Sequence, residues 1–434
     1  MHERMRDAYS WDWVEAQVAQ TIDVWNGNAA RPAPRGPQYC VEQQQKREKA
    51  YDQALREVEF EAKKKSRTKA ERVAMQQRIT ESFARFSAAA LDLQGDAVAL
   101  LTDDFLPVGT KLSRWARAFD ASLSMADIIQ ACRNAWTACG LQPLLGERVE
   151  LTPSILGYSL LYPYTDNYLD RTDVSADAKH RFSERFRERL RGEDLAAGNS
   201  HEAALWALVE LVEGQYPRAS FPGVFDCLLA IHRAQEGSIA QLGDGDLFGD
   251  AEVLRMSCAK GGSSVLADAC LARGRLNEDE SRFAFEWGVL LQLGDDLQDV
   301  QDDLRRGSVT LFSRAAAMGT PLDGLATQLL NFSEQVGARM DSLPGGTPAF
   351  KELLRMSWRS LIVGAVADSH EFFSAEFVAE AERSSPFRFG FLRARRKRMA
   401  SREGLYATLF EAFLEAPDDD DFGVALPVPA LAAL

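Results

Sequence analysis

No apolar run in the 434-residue chain approaches the roughly 20 residues that a membrane-spanning helix requires, so no transmembrane segment is expected. The opening residues, Met1 to Asp7, are charged and lack the apolar stretch of a secretory leader. Six cysteines (Cys40, Cys132, Cys139, Cys227, Cys258 and Cys270) show neither paired metal-ligand spacing nor the density of a disulfide framework. Reduced thiols in the cytoplasm are the ordinary reading. Positive charge is in short supply: 50 Lys and Arg against 64 Asp and Glu leave a net −14. Such a surface repels phosphate backbones and argues against nucleic acid as a partner. Strand signals, meaning short β-branched runs alternating with polar residues, are scarce, and no internal repeat is found.

What is present is apolar content of 46%, ample for a large core, arranged with helical periodicity along nearly every segment beyond Leu101. The fold class expected is all-α. Residues 9–25 read as a short amphipathic helix, and the proline- and glycine-rich stretch Gly27–Pro37 as a linker. From Val41 to about Ala90 the chain is rich in good helix formers, so it reads as a long solvated helix or a partner-binding arm. Residues 1–94 are therefore expected to be an N-terminal helical extension, 95–415 a helical bundle, and 416–434 a disordered acidic and apolar tail. Helix starts are readable at Ser124, at Thr152 with Pro153, and at Ser175. Loops are expected at Gly192–Ser200, Tyr216–Gly223, Gly243–Gly249 and Pro344–Pro348. A strongly basic stretch, residues 387–398, has no assigned role: capping a site, touching anionic lipid and holding the acidic tail all remain open.

Residues 288–303 carry the most information: Gly-Val-Leu-Leu-Gln-Leu-Gly-Asp-Asp-Leu-Gln-Asp-Val-Gln-Asp-Asp. On a helix, Gln292, Asp295, Asp299 and then Asp302 or Asp303 fall on one face, while Val289, Leu290, Leu291 and Leu293 fill the others. Carboxylates on a helix apolar enough to be buried must be paired or bound to metal. A hard divalent ion such as Mg²⁺ suits these oxygen ligands. The ordinary alternative is a solvated acidic face, which accounts well for Asp302 and Asp303 and poorly for the apolar flanks of Asp295.

A second cluster lies upstream in residues 160–173, where Asp166, Asp170 and Asp173 sit at i, i+4 and i+7. Two aspartate-lined helices can face each other across a bundle and share metal ions. Mg²⁺ is rarely caged by protein alone; waters and substrate phosphates complete its shell. The pair of walls describes a receptacle for a diphosphate.

These strings resemble the motifs of the isoprenoid synthase superfamily, over about residues 95–375. Gly288, Gln292, Asp295, Asp296 and Asp299 match its Gly-xxx-Gln-xx-Asp-Asp-xx-Asp motif, and Asp166 and Asp170 match its Asp-Asp-xx-Asp motif, with Asn167 in place of the second aspartate. Lys260, in Ser-Cys-Ala-Lys-Gly-Gly, is similar to the lysine that the family sets against the diphosphate, with Gly261 and Gly262 letting the backbone approach closely. The resemblance is nearest to large bacterial class I terpene synthase-like proteins. It implies an isoprenoid-synthase-type bundle whose Mg²⁺ (or Mn²⁺) ions neutralise the leaving diphosphate of an allylic prenyl diphosphate, so that the C–O bond ionises. It implies Asp166, Asp170, Asp295, Asp296 and Asp299 as metal ligands or their close supports, with Lys260 on the diphosphate and Gln292 orienting it. Dimers are common in that superfamily, so a homodimer is expected from the resemblance; transient contact with a membrane surface is one of the readings open for the basic stretch.

Further candidates are weaker. Arg305 and Arg306 follow the acidic helix and either close over the diphosphate or sit at a helix C-terminus, where cations are favoured. Arg233 pairs by spacing with Glu236 and is either a diphosphate-sensing arginine or half of a surface ion pair. Tyr162, one turn before Asp166, and Tyr168 are expected to shield a carbocation or to pack in the core. Chain-elongating relatives carry an arginine pair soon after the first motif. Here Arg171 stands alone, and Arg181, Arg185, Arg187, Arg189 and Arg191 are spread along a helix. That favours ionisation of one prenyl diphosphate, with elongating or head-to-head prenyl transfer next. A noncatalytic prenyl-binding subunit is the third reading.

Overall fold

The structure, a computed structural model, describes residues 9–34, 36–64, 68–93, 95–171, 173–238 and 248–414; for Tyr162, Asp170 and Phe413 it describes the backbone alone. The expected tail 416–434 and most of the Gly243–Gly249 loop lie outside the described residues. Among those residues the fold is all-α, with no strand. The N-terminal third comprises α1 (Trp11–Asn26), α2 (Val41–Ala62), α3 (Lys69–Leu91), α4 (Gly95–Ala99), α5 (Leu106–Phe119) and α6 (Met125–Leu144), with a π-helical turn Leu100–Phe105 joining α4 to α5. Then come α7 (Pro153–Asp170), α8 (Ala176–Arg191), α9 (Ser200–Gln215), α10 (Pro222–Ser238), α11 (Asp250–Arg273) and α12 (Glu278–Gln298). The remainder is α13 (Val300–Arg306), α14 (Leu311–Ala317), α15 (Asp323–Ser342), α16 (Pro348–Asp368), α17 (Ala375–Arg383), α18 (Phe389–Ala400) and α19 (Glu403–Leu414).

The helix starts follow from local chemistry. Ser124 Oγ accepts the Asp127 amide while Asp127 reaches back to the Ser124 amide, a reciprocal cap that opens α6. Thr152 accepts from the Ile155 amide ahead of Pro153, and Ser175 from the Ala178 amide.

Two hydrophobic clusters form the core. One gathers α12, α15 and α16; the other gathers α5 to α10; α11 contributes to both, through Ala269 to the first and Leu266 to the second. The contact of α11 with α12 is unusually close. A Cβ on Gly288 would strike the Gly261 carbonyl, and one on Gly261 would lie 2.5 Å from the Gly288 carbonyl oxygen. Gly261 and Gly262 therefore lie inside an unbroken helix and serve helix packing: Gly262 is covered by the Phe285 ring.

The expected N-terminal extension divides. Helix α1 buries Val14, Val18 and Trp25 in the main core, and the Trp25 carbonyl accepts from Gln328 Nε2 at 2.8 Å. The stretch read as one long helix is a helical pair, α2 and α3, closed by α19 through Ala62, Met75 and Leu409. The basic helix α18 lies against α2. Arg388 pairs with Glu48, Arg395 with Asp52, and Arg398 and Arg402 both with Glu59. Much of the basic stretch is thus neutralised within the fold.

Candidate functional site

The acidic string occupies the C-terminal half of α12 and continues into α13, as its periodicity predicts. Asp295 and Asp296 point to different surroundings. Asp296 is buried, and both its oxygens are engaged: Gln292 Nε2 donates to one at 2.8 Å and Ser257 Oγ of α11 to the other at 2.9 Å. Burial pushes its pKa up to about 7 against the pull of those two donors. With both oxygens held, Asp296 braces the α11–α12 contact. Gln292 orients Asp296.

The Asp295 side chain is 46% exposed, and Arg133 of α6 donates to it at 3.3 Å. Burial raises its pKa, Arg133 pulls it back, Asp299 adds repulsion, and the Lys260 ammonium lowers it through space. Asp299 is likewise raised, by burial and then by Asp302, with Arg133 and Arg306 opposing. Asp295, Asp299, Lys260 and Arg133 thus share one electrostatic neighbourhood. Asp303 joins its edge, raised to about 6 by burial and by Asp299.

The other wall is the end of α7. Asp166 is buried and accepts from Gln235 Nε2 of α10 at 2.6 Å. Asn167, at the variant motif position, is exposed and donates to Asp127 of α6 at 2.8 Å. The side chains of Asp170 and Tyr162 lie outside the described residues. Asp173 leaves the row and pairs with Arg171 beyond the helix end. Helix α6 stands between the two walls, touching α7 through Asp127 and α12 through Arg133.

Below Asp166 lies an apolar cavity of about 30 Å³, lined by Tyr158, Leu161, Phe186, Leu190, Leu228 and Ile231. That space suits one or two waters. Five polar residues complete the lining, and one of them, Gln235, contacts a site residue. Gln235 binds Asp166, Thr165 adjoins it, Ser264 is one turn beyond Lys260, and Asn134 follows Arg133. His232 also lines the cavity, held by the Ser183 carbonyl at 3.0 Å, and its burial lowers its pKa.

Other candidates are placed elsewhere. The Arg233 guanidinium stacks over Trp11 of α1 at 4.4 Å from the ring centre. Its expected partner, Glu236, instead pairs with Arg187 at 2.5 Å, with His232 at 3.7 Å. Arg305 is exposed and contacts Asp302; Arg306 is exposed and acts on Asp299 and Asp303 through space. Tyr168 stacks on Phe182 and His201, with ring centres 4.6 and 4.8 Å away, as a core residue would. The spread arginines of α8 hold their neighbours: Arg185 pairs with Glu202 and Arg189 with Glu213.

Three participants were not legible in the sequence. Arg133 and Gln235 sit on helices without a motif, and only the packing brings them to Asp295 and Asp166. Asp268 on α11 is fully buried, makes no hydrogen bond among the described residues, and has its pKa raised well above the carboxylate range by burial. An aspartate among Ala267, Ala269 and Leu271 was the available signal.

The donor chemistry suits a hard cation: Asp295 and Asp299 offer carboxylate oxygens beside a basic pair. Among the described residues no three acidic, His or Cys side chains converge tightly enough to hold an ion by themselves. One or two carboxylates completed by water and phosphate is the Mg²⁺ pattern such a wall fits. Compared with known proteins, the chain matches no family model, no curated protein and no solved structure.

Proposed function

We propose that the chain is a class I terpene synthase, ionising a prenyl diphosphate with Mg²⁺ and releasing pyrophosphate while the carbocation is cyclised or quenched. The observation that carries this reading is the single electrostatic neighbourhood of Asp295, Asp299, Lys260 and Arg133. Asp295, Asp299 and Asp166 would hold the ions, Mg²⁺ or Mn²⁺, with Asp170 on the same helix. Bound there, the metal supplies Lewis-acid neutralisation of the leaving group.

The chain's own residues do the rest. Lys260 and Arg133 bind diphosphate oxygens, and the Arg133–Asp295 contact keeps that guanidinium at the mouth. Gln292 and Ser257 fix Asp296, which locks the pitch of α12 and so the direction of Asp295. Tyr158, Phe186 and Ile231 exclude water from the reacting chain, and ring faces stabilise a cation. The cavity must enlarge to admit a prenyl chain. Asn167, which stands at a motif aspartate position and donates to Asp127 at 2.8 Å, is what favours the reading as a noncatalytic prenyl-binding subunit.

The test incubates purified protein and Mg²⁺ with geranyl, farnesyl and geranylgeranyl diphosphates, alone and with isopentenyl diphosphate. Asp295→Ala runs in parallel, with extracts read by mass spectrometry. A hydrocarbon or alcohol from one diphosphate, lost in Asp295→Ala, is the expected result. A longer diphosphate formed only with isopentenyl diphosphate makes the chain a prenyltransferase. No product from any combination overturns catalysis.

A further inference from the structure

Helix α18 presents two cationic faces. Arg388 before it, then Arg395, Arg398 and Arg402, turn to α2 and each contacts a carboxylate there. Arg393, Arg396 and Lys397, at i, i+3 and i+4, turn the other way. They line a cleft of about 390 Å³ together with the end of the acidic string (Gln298, Asp299, Gln301 and Asp302) and with Asp368 and Ser369.

Charge around the cleft is incompletely matched. Arg396 contacts Asp368, and Arg393 donates to the Ala367 carbonyl at 3.0 Å. The Lys397 side chain has no ion pair or hydrogen bond among the described residues. Asp302 contacts Arg305, and the Asp299 carboxylate has no hydrogen-bond partner among the described residues. A simple surface ion-pair network would have closed these charges onto one another. Here cations and carboxylates together line a space large enough for a small ligand.

We propose that this cleft binds a divalent-metal complex of pyrophosphate. A bare anion would be repelled by Asp299 and Asp302, and a bare cation by Arg393 and Lys397. A metal–phosphate complex satisfies both: phosphate oxygens face the basic side chains, and the hydrated ion faces the carboxylates, as Mg²⁺ prefers. The phosphate class rests on the cleft alone. The choice of pyrophosphate rests on the proposed function, whose released product would emerge beside Asp299, a residue common to the reaction wall and the cleft. The cleft is then a product-holding site that adjoins the reaction wall at Asp299.

Calorimetric titration of the full-length protein with Mg²⁺ and inorganic pyrophosphate tests this, with orthophosphate as a second arm. Two binding events are expected. Lys397→Glu, and separately Arg393→Ala with Lys397→Ala, should weaken one by about tenfold or more and leave the other, since each removes a charged hydrogen-bonding partner. Lys260→Ala should weaken the other event alone. Circular dichroism melting without ligand identifies any variant that fails to fold, and Lys397→Glu serves if the double variant does. Pyrophosphate binding unchanged in both α18 variants overturns the inference. One event lost in Lys397→Glu and unaffected by Lys260→Ala keeps the cleft and overturns the diphosphate role of Lys260. Equal affinity for orthophosphate overturns the choice of pyrophosphate.

Discussion

Arg133 of α6 donates to Asp295 of α12 at 3.3 Å, the one direct polar contact from α6 to the acidic string among the described residues. Both side chains are well exposed, 60% and 46%, so the pair is worth at most about 1 kcal/mol of stability. Its value lies in where it holds a cation. Arg133→Ala should therefore leave the melting temperature almost unchanged while cutting product formation by about tenfold or more. A large fall in melting temperature with turnover intact would make the contact structural.

The closeness of α11 and α12 is equally testable. Gly261→Ala puts a methyl group 2.5 Å from the Gly288 carbonyl oxygen and against the Gln292 side chain. Backbone on the facing helix cannot swing aside, so the helices must separate, at a cost of about 2–4 kcal/mol. Separation would also disturb the Ser257–Asp296 bond one turn away, which spans the same two helices at 2.9 Å. Thermal unfolding of Gly261→Ala beside Gly364→Ala, a helix position with open space around it, gives the comparison. Equal melting of the two would show that the helices yield freely.

Helical periodicity placed Gln292 and Asp295 on α12, with Asp299 at its C-terminal cap, and cap chemistry placed the starts of α6, α7 and α8, because both depend on residues close in sequence. The partners of those residues depend on which helices meet. Arg233 and Glu236 looked like a pair at i, i+3, yet Trp11 and Arg187 claim them from distant helices. The pair Gly261–Gly262 read as an approach to ligand because nothing local reveals that Gly288 and Phe285 lie opposite. The basic stretch could not be assigned for a similar reason: its neutralising acids, Glu48, Asp52 and Glu59, are more than 330 residues earlier.

The paired carboxylates of α2, Glu59 of that clamp and Glu61 beside it, should be acid-sensitive. Burial works against ionised Glu59, but Arg398, Tyr406 and Arg402 outweigh it and lower its pKa. Glu61, 5% exposed in its side chain, is lowered to about 2 because Arg78 and Lys64 overcome the same burial. Depressed carboxylates contribute stability above their unfolded value of 4.5, and that contribution fades as the pH falls towards 2. Glu61→Gln should cost about 1–2 kcal/mol at pH 7 and progressively less below pH 4.5, read from denaturant unfolding. A deficit that stays constant with pH would assign the loss to packing.

Asp268 makes the opposite prediction. It is fully buried between α6 and α7, close enough to Cys139 and Tyr158 for its charge to raise both their pKa values, and no donor reaches either oxygen among the described residues. The folded chain must keep this carboxyl protonated, whereas the unfolded chain ionises it above 3.8. The folded state then binds one more proton, so stability falls as pH rises, by up to about 1.4 kcal/mol per unit. Asp268→Asn keeps the shape and has no proton to lose. It should match the parent protein near pH 4 and melt at a higher temperature at pH 7, the gap widening steadily between. If Asp268→Asn melts lower at pH 7, the carboxylate is ionised and held by a cation, and a buried positive partner must then be sought beside α11.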